Sequence, residues 1–105
     1  MTTTSIADHD VELDPEGFFV HPEPWSEDMV PELARREGID PVTDRHLQVI
    51  RFMRAEYQSK GAGPTVRLLG KTSGVPVKEL YQLFPGGPAK VAGRIAGIPK
   101  PRGCI

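Results

Sequence analysis

The most reactive side chain of the sequence belongs to Cys104, the only cysteine and the next-to-last residue. The thiolate form of cysteine is the nucleophile, and an unperturbed thiol has a pKa of about 8.5. Lys100 and Arg102 favour the thiolate through their charge, whereas the terminal carboxylate of Ile105 opposes it, so the net direction stays open. A persulfide on Cys104 is a stronger acid than the thiol. The nearby cations therefore suit sulfur carriage better than acid–base catalysis.

The residues before the cysteine predict an extended arm. Pro99 and Pro101 fix their own φ angles and push the preceding residues away from helical conformations. Cys104 lies seven residues after Gly97, which in polyproline geometry is a reach of roughly 20 Å. Gly103 gives the backbone conformational freedom just before the thiol. We expect this arm to deliver the thiol into a partner protein or back onto its own body; the alternative is a frayed terminus with an incidental cysteine.

Other kinds of catalytic site find little support in the sequence. His9, His21 and His46 are scattered, and a single cysteine supplies one ligand, so we expect no metal site. No spacing brings a histidine to the tail as a catalytic base. The segment "FPGGP" lacks both the pattern and the lysine of a phosphate-binding loop. We expect no cofactor.

A lone cysteine cannot form an internal disulfide, which favours a reducing compartment. The N-terminus "MTTTSIADHDVELD" lacks the pattern of a signal peptide, and no stretch approaches the ~20 apolar residues needed to span a bilayer. We therefore expect a cytoplasmic protein without a membrane partner.

The net charge of −1 conceals an asymmetry between the two parts of the chain. Residues 1–44 hold twelve acidic and two basic side chains, whereas residues 45–105 hold two acidic and eleven basic ones. The basic part either meets an anionic partner or packs against the acidic part and neutralises it. Arg67 and Lys90 are our candidates for a basic surface against which the arm folds.

The apolar pattern predicts a mainly α protein of one domain, residues 1–96, followed by a mobile arm, residues 97–105. Residues 1–9 look irregular, and "DVELDPEGFFV" reads as a β-hairpin with its turn at 14–17. The fold class is then a small helical bundle with an N-terminal hairpin. Apolar residues at helical spacing, caps, glycines and prolines delimit the predicted helices, which are 26–38, 44–60, 65–74, 76–84 and 88–97.

The segment "RLLGKTSGVPVKELYQLFPGGP" resembles a helix-turn-helix with basic residues at Arg67, Lys71 and Lys78. This allows a DNA-binding or regulatory module, or weak contact with nucleic acid. The alternative is a helical hairpin with solvated lysines. "VPVKELYQLF" offers few polar groups able to read base edges, which favours the hairpin.

The C-terminal sequence "LYQLFPGGPAKVAGRIAGIPKPRGCI" resembles the signature of the DsrC/TusE family, and the resemblance extends more weakly over nearly the whole chain. It implies orthogonally packed helices, a small N-terminal β-hairpin and a mobile C-terminal arm. It also implies a cytoplasmic sulfur relay, in which the penultimate cysteine, here Cys104, accepts persulfide sulfur from a sulfurtransferase. The resemblance thus favours a sulfurtransferase that acts as a persulfide carrier rather than as a stand-alone catalyst.

The resemblance leaves the downstream partner open. TusE proteins pass sulfur towards an enzyme that thiolates tRNA, and DsrC proteins work with dissimilatory sulfite reductase. A partner that resembles the reductase's gamma subunit and exchanges no sulfur is a further alternative. Within the arm, Pro99, Lys100, Pro101, Arg102 and Gly103 would guide docking from Gly97 onward.

Three departures from the family pattern are visible. DsrC proteins carry a second arm cysteine eleven residues before the penultimate one, and this chain has Gly93 there. Cys104 therefore has no internal resolving thiol. The loop in "TSGVPVKELYQLF" is shorter than in many family members, so the surface with which they bind their partners differs here. Arg102 replaces the threonine that is common in DsrC arms.

Overall fold

The structure, a computed structural model, describes residues 2–100. A two-stranded antiparallel hairpin precedes a single turn of 3-10 helix, Glu27–Met29, and five α-helices. The mainly α fold class predicted from the sequence is confirmed. The elements are β1 (Thr2–Ile6), β2 (His9–Leu13), α1 (Val30–Arg36), α2 (Asp44–Lys60), α3 (Val66–Thr72), α4 (Val77–Leu83) and α5 (Pro88–Ile95).

The first strand of the N-terminal hairpin lies within residues 1–9, which were predicted to be irregular. β1 pairs with β2 through a two-residue turn at Ala7 and Asp8, whose φ angles of 49° and 67° suit a tight hairpin turn. The prediction that residues 1–9 are irregular was therefore wrong. "TTTSI" has one apolar side chain, Ile6, so it shows no alternation that would mark a strand.

The turn predicted at 14–17 is present, but it closes a smaller structure than a full hairpin. The Asp14 carboxylate accepts hydrogen bonds from the backbone N–H groups of Glu16 and Phe18, each at 2.9 Å. A single bridge then joins Leu13 to Phe19. Phe18 and Phe19 are buried, so this turn attaches β2 to the helices.

The predicted long helix is confirmed at both ends as α2. Thr43 accepts a hydrogen bond from the backbone N–H of His46, and the Thr43 N–H donates to Nδ1 of His46 at 3.0 Å, a reciprocal cap. His46 Nε2 then donates to the carbonyl of Leu83 at 3.0 Å and ties the start of α2 to the end of α4. Gly61, with φ of 75°, ends the helix.

Helix α5 is the centre of the bundle, since it packs against α1, α2, α3 and α4. Its Val91, Ala92, Gly93 and Ile95 are all buried, as is Ala96 beyond its end. A Cβ atom on Gly93 would lie 3.2 Å from Cε1 of Phe18, so this helix approaches its neighbours closely. The C-terminal segment thus leaves from the helix that packs against the other four.

No helix within residues 2–100 is both long and apolar enough to cross a membrane.

Thr43→Ala should lower the free energy of unfolding by about 1 kcal/mol, because it removes the side-chain cap of the longest helix. Urea denaturation followed by circular dichroism measures the change. Thr3→Ala, at an exposed position of β1, is the control and should change stability much less. Equal effects of the two substitutions would show that the cap contributes nothing.

Candidate functional site

The first residues of the predicted arm turn back onto the body of the protein. Gly97 takes φ of +66°, and the N–H of Ile98 donates to the carbonyl of Gly93 at 3.3 Å. This is the Schellman arrangement that commonly ends a helix. Ile98 is fully buried and Pro99 is half-buried. We call residues 97–100 the arm root.

Two side chains from elsewhere in the chain hold the arm root, and we call Trp25 and Arg54 the arm clamp. Trp25 Nε1 donates to the carbonyl of Ile95 at 2.9 Å. Arg54 Nη1 donates to the carbonyl of Ala96 at 2.7 Å and to that of Gly97 at 3.4 Å. The arm clamp therefore satisfies carbonyl groups that a helix leaves unpaired at its C-terminus.

The two clamp residues also contact each other. The Arg54 guanidinium lies 4.1 Å from the centroid of the Trp25 ring, a cation–π contact. Arg54 Nη2 donates to the carbonyl of Pro22 at 3.3 Å, which fastens the loop that carries Trp25. Three segments of the chain thus meet at one guanidinium, namely the loop 22–25, helix α2 and the end of α5.

The Arg54 guanidinium contacts mainly neutral groups, namely backbone carbonyl oxygens and the Trp25 ring. Burial lowers the pKa of its guanidinium, and the more distant charge of Glu23 opposes this shift. Arginine stays protonated at neutral pH because its ordinary pKa is so high. The negative end of the α5 dipole lies at the same carbonyl groups and favours a cation there.

The arm root ends in an exposed ion pair between Lys100 and Glu16, with Nζ and Oε1 2.6 Å apart. The hydrogen bond with Glu16 raises the pKa of Lys100. The pair is therefore lost as pH rises through this raised pKa of Lys100. Both side chains are about half exposed, so the pair contributes little to stability.

A cavity of about 270 Å³ opens next to this ion pair. Within it, the Arg94 guanidinium binds the Glu37 carboxylate through two hydrogen bonds of 2.8 and 3.0 Å. Residues 2–100 contain no group of three or more side chains that could hold a metal ion. The cavity is lined by Leu13, Glu16, Gly17, Leu33, Arg36, Glu37 and Arg94.

The other candidate residues lie apart from these contacts or outside the described part of the chain. Arg67 on α3 and Lys90 on α5 are exposed, and no ion pair joins either to another residue of the described range. The side-chain polar contacts of the arm root are with Glu16 and Arg54 instead, so an arm that folds against Arg67 and Lys90 stays a prediction. The candidates outside the described residues are Pro101, Arg102, Gly103 and Cys104.

Helices α3 and α4 form the predicted helical hairpin. Gly70 lies so close to Val77 that a Cβ atom would be 2.2 Å from Cγ2. The exposed face of α4 presents Val77 and Tyr81, with 40% and 53% of their surface exposed. Lys78 and Gln82 are also exposed on this helix, so its surface holds polar groups beside apolar and aromatic ones.

The arm clamp was missed by the sequence analysis. Trp25 is the only tryptophan, and Arg54 follows the buried Ile50 by four residues, on the side of α2 that faces the core. A cation at an apolar position of a helix is a signal that a buried partner exists. The partner itself lies 42 residues further along the chain, beyond what helical spacing can indicate.

Comparison with known proteins gives a consistent set of similarities. The family model described as "DsrC like protein" matches residues 5–105. The chain is 42% identical to the "Sulfurtransferase TusE" of Yersinia pseudotuberculosis serotype I over 102 residues, which covers 90% of this chain and 94% of the relative. It is 39% identical to the "Sulfite reductase, dissimilatory-type subunit gamma" of Nitratidesulfovibrio vulgaris over 94 residues, 90% of each chain.

The fold is also similar to those of solved structures. The solution structure of "Pyrobaculum Aerophilum DsrC/gamma subunit of dissimilatory sulfite reductase" superimposes with a TM-score of 0.81 and 35% sequence identity. The superposition covers 99% of this chain and 95% of that one.

Proposed function

The chain belongs to the DsrC-like protein family, and from this we propose that it is a sulfur carrier that holds persulfide sulfur on Cys104. The observation that carries the proposal is the match to sulfurtransferases of this family over nine-tenths of the chain. Cys104 is the only cysteine, so its thiol is the only group of this chain that can form a persulfide. The alternative of a DNA-binding module has no comparable support.

The transfer step is an exchange between sulfur atoms. The Cys104 thiolate attacks the terminal sulfur of a donor persulfide, the donor S–S bond breaks, and the donor leaves as a thiolate. The new S–S bond lies on Cys104, and no external oxidant or reductant is needed. The reverse step delivers the sulfur to an acceptor.

Release of the sulfur requires a second molecule. The position where DsrC proteins carry a second cysteine is occupied by Gly93, buried in α5 among Phe18, Met53 and Ile98. Without a second thiol, no internal disulfide can expel the sulfur. We propose a sulfurtransferase as the donor and a downstream protein of a sulfur relay as the acceptor, either a tRNA-thiolating enzyme or sulfite reductase.

The packing of the arm root supports this proposal. Residues 97–100 leave α5 in a fixed direction, and Cys104 lies four residues beyond Lys100. A fully extended chain keeps its Cα within about 14 Å of the Lys100 Cα. A thiol on so short a tether explores a small volume, which suits handover to a docked partner.

Incubation with inorganic polysulfide should add one sulfur atom to Cys104, because its thiol is the only acceptor in the chain. Intact-protein mass spectrometry measures the gain, and dithiothreitol should reverse it. Cys104→Ser is the control and should gain nothing. Absence of the gain in a protein whose thiol is demonstrably reduced would reject the carrier function.

A second candidate function is a gamma-subunit-like partner of dissimilatory sulfite reductase that exchanges no sulfur. The similarity to the Nitratidesulfovibrio vulgaris subunit favours it. Co-purification with that enzyme, unchanged by Cys104→Ala and unaccompanied by persulfide formation, would support this function over the carrier.

A further inference from the structure

The cationic group at the arm root is buried in an unusual way. Arg45 and Arg51, on the same helix α2, bind the carboxylates of Glu79 and Glu27. Arg54, in contrast, donates its hydrogen bonds to carbonyl oxygens and stacks on Trp25. A guanidinium that is partly removed from water without an adjacent carboxylate carries a desolvation penalty. The contacts of Arg54 therefore join three segments of the chain at the start of the arm, whereas Arg45 and Arg51 form ion pairs.

The groups that Arg54 contacts lie at the point where the helix becomes the arm. Its Nη1 bonds to Ala96 and Gly97, both beyond the last residue of α5. Trp25 fills the space next to Gly97, since a Cβ atom there would lie 2.1 Å from Cδ1 of the indole ring. With Ile98 buried as well, the direction of the chain at residues 97 and 98 is determined by several independent contacts.

We infer that Arg54, acting through Trp25 and the carbonyl groups of Ala96 and Gly97, is a positioning residue that aims the arm for sulfur exchange with a protein partner. The inference rests on the proposed carrier function. Arg54 does not touch the reacting sulfur. It sets the direction from which the short tether to Cys104 begins, and a docked partner meets the thiol only if that direction matches its own active site.

The inference predicts a selective effect. A small donor such as polysulfide reaches the thiol from any side, so its reaction does not depend on arm direction. A protein donor must dock and present its persulfide along one line of approach. Errors of about 1 Å in such an approach reduce rates by up to roughly 100-fold.

The test compares two donors across matched variants. Arg54→Met removes the hydrogen bonds and the charge while keeping the length of the side chain. Arg51→Met, one turn earlier on α2, is the control because Arg51 is exposed and pairs only with Glu27 among the described residues. The donors are inorganic polysulfide and rhodanese charged with thiosulfate. For Arg54→Met we expect transfer from rhodanese to fall about tenfold and loading from polysulfide to stay unchanged.

Two milder variants separate positioning from folding. Arg54→Lys keeps a cation at the same carbonyl groups and should restore part of the transfer. Trp25→Phe keeps an aromatic face but removes the N–H that binds Ile95, and should give an intermediate loss. If Arg54→Met fails to fold, these two variants carry the test.

A spin label gives a readout that is independent of any donor. Cys104 is the only cysteine, so a nitroxide can be attached there and its broadening of body amide signals recorded by NMR. We expect the wild type and Arg51→Met to show the same localised pattern, and Arg54→Met to show a diffuse one.

The inference is overturned if the pattern is the same in folded Arg54→Met as in the wild type. It is equally overturned if transfer from both donors falls in parallel, which is the mark of a merely structural role. Failure of the proposed function looks different, because the wild type itself would then take no sulfur from polysulfide.

Discussion

Replacing Cys104 by serine should reduce sulfur relay to background. A hydroxyl group forms no persulfide, and no other thiol exists in the chain to substitute for it. The relevant measurement is the transfer of labelled sulfur from a persulfide-charged sulfurtransferase to an acceptor in the presence of the variant. A circular dichroism melt establishes that the variant is folded.

The matched control for this variant is the wild-type protein alkylated on its thiol, which should fail to the same degree. The two inactive forms differ in bulk but share the missing thiol, so equal failure assigns the loss to the sulfur atom. A serine variant that still supports relay above background would contradict the account.

Gly97→Ala should cause a large loss of stability at the arm root. Its φ of +66° is strained for alanine, and the new Cβ would lie 2.1 Å from Cδ1 and 2.5 Å from Cγ of Trp25. Because the indole is held by Ile95 and Arg54, it cannot move without breaking the arm clamp. Strain and overpacking together should lower the free energy of unfolding by about 3 kcal/mol.

The comparison for Gly97→Ala is Gly38→Ala. Gly38 has φ of +79°, and a Cβ atom there meets nothing within 4 Å. This control carries the backbone strain alone, about 1 kcal/mol. Urea denaturation of both variants isolates the steric part, and equal losses would show that Trp25 does not restrain the arm root.

The helices were predictable because their signals are local. Helix α2 has apolar residues at helical spacing, a capping threonine at 43 and a glycine at 61, all within one stretch of chain. Strand β1 was not predictable, because Ile6 is its only apolar side chain and it therefore shows no periodic pattern. The strand is defined by its pairing with β2. Local patterns therefore identify elements that carry their own caps and core face.

The same difference between local and long-range signals applies to the residues of the candidate site. Cys104 was predicted as the reactive residue from its uniqueness and from a family signature that is contiguous in sequence. The contacts of Trp25 with Ile95 and of Arg54 with Ala96 span 70 and 42 residues. Such contacts depend on how helices pack, which one sequence does not specify. The sequence predicted the reactive group, whereas the structure shows the contacts from which we infer what directs the arm.

Gly93 shows how the two kinds of observation combine. The sequence establishes that the chain has no second thiol at this position. The structure adds that a Cβ atom would lie 3.2 Å from Phe18 and 3.8 Å from Ile98. A side chain here would thus crowd the Phe18 ring, whereas its Cβ would make only an ordinary van der Waals contact with Ile98.

The most direct test of the carrier function follows one sulfur atom through Cys104. A donor charged with isotopically labelled persulfide is mixed with the wild-type protein and an acceptor, and the reaction is quenched at successive times for mass spectrometry. We expect labelled persulfide on Cys104 to appear before label reaches the acceptor, and to disappear at the rate at which the acceptor gains it. Label that reaches the acceptor without passing through Cys104 would contradict the account.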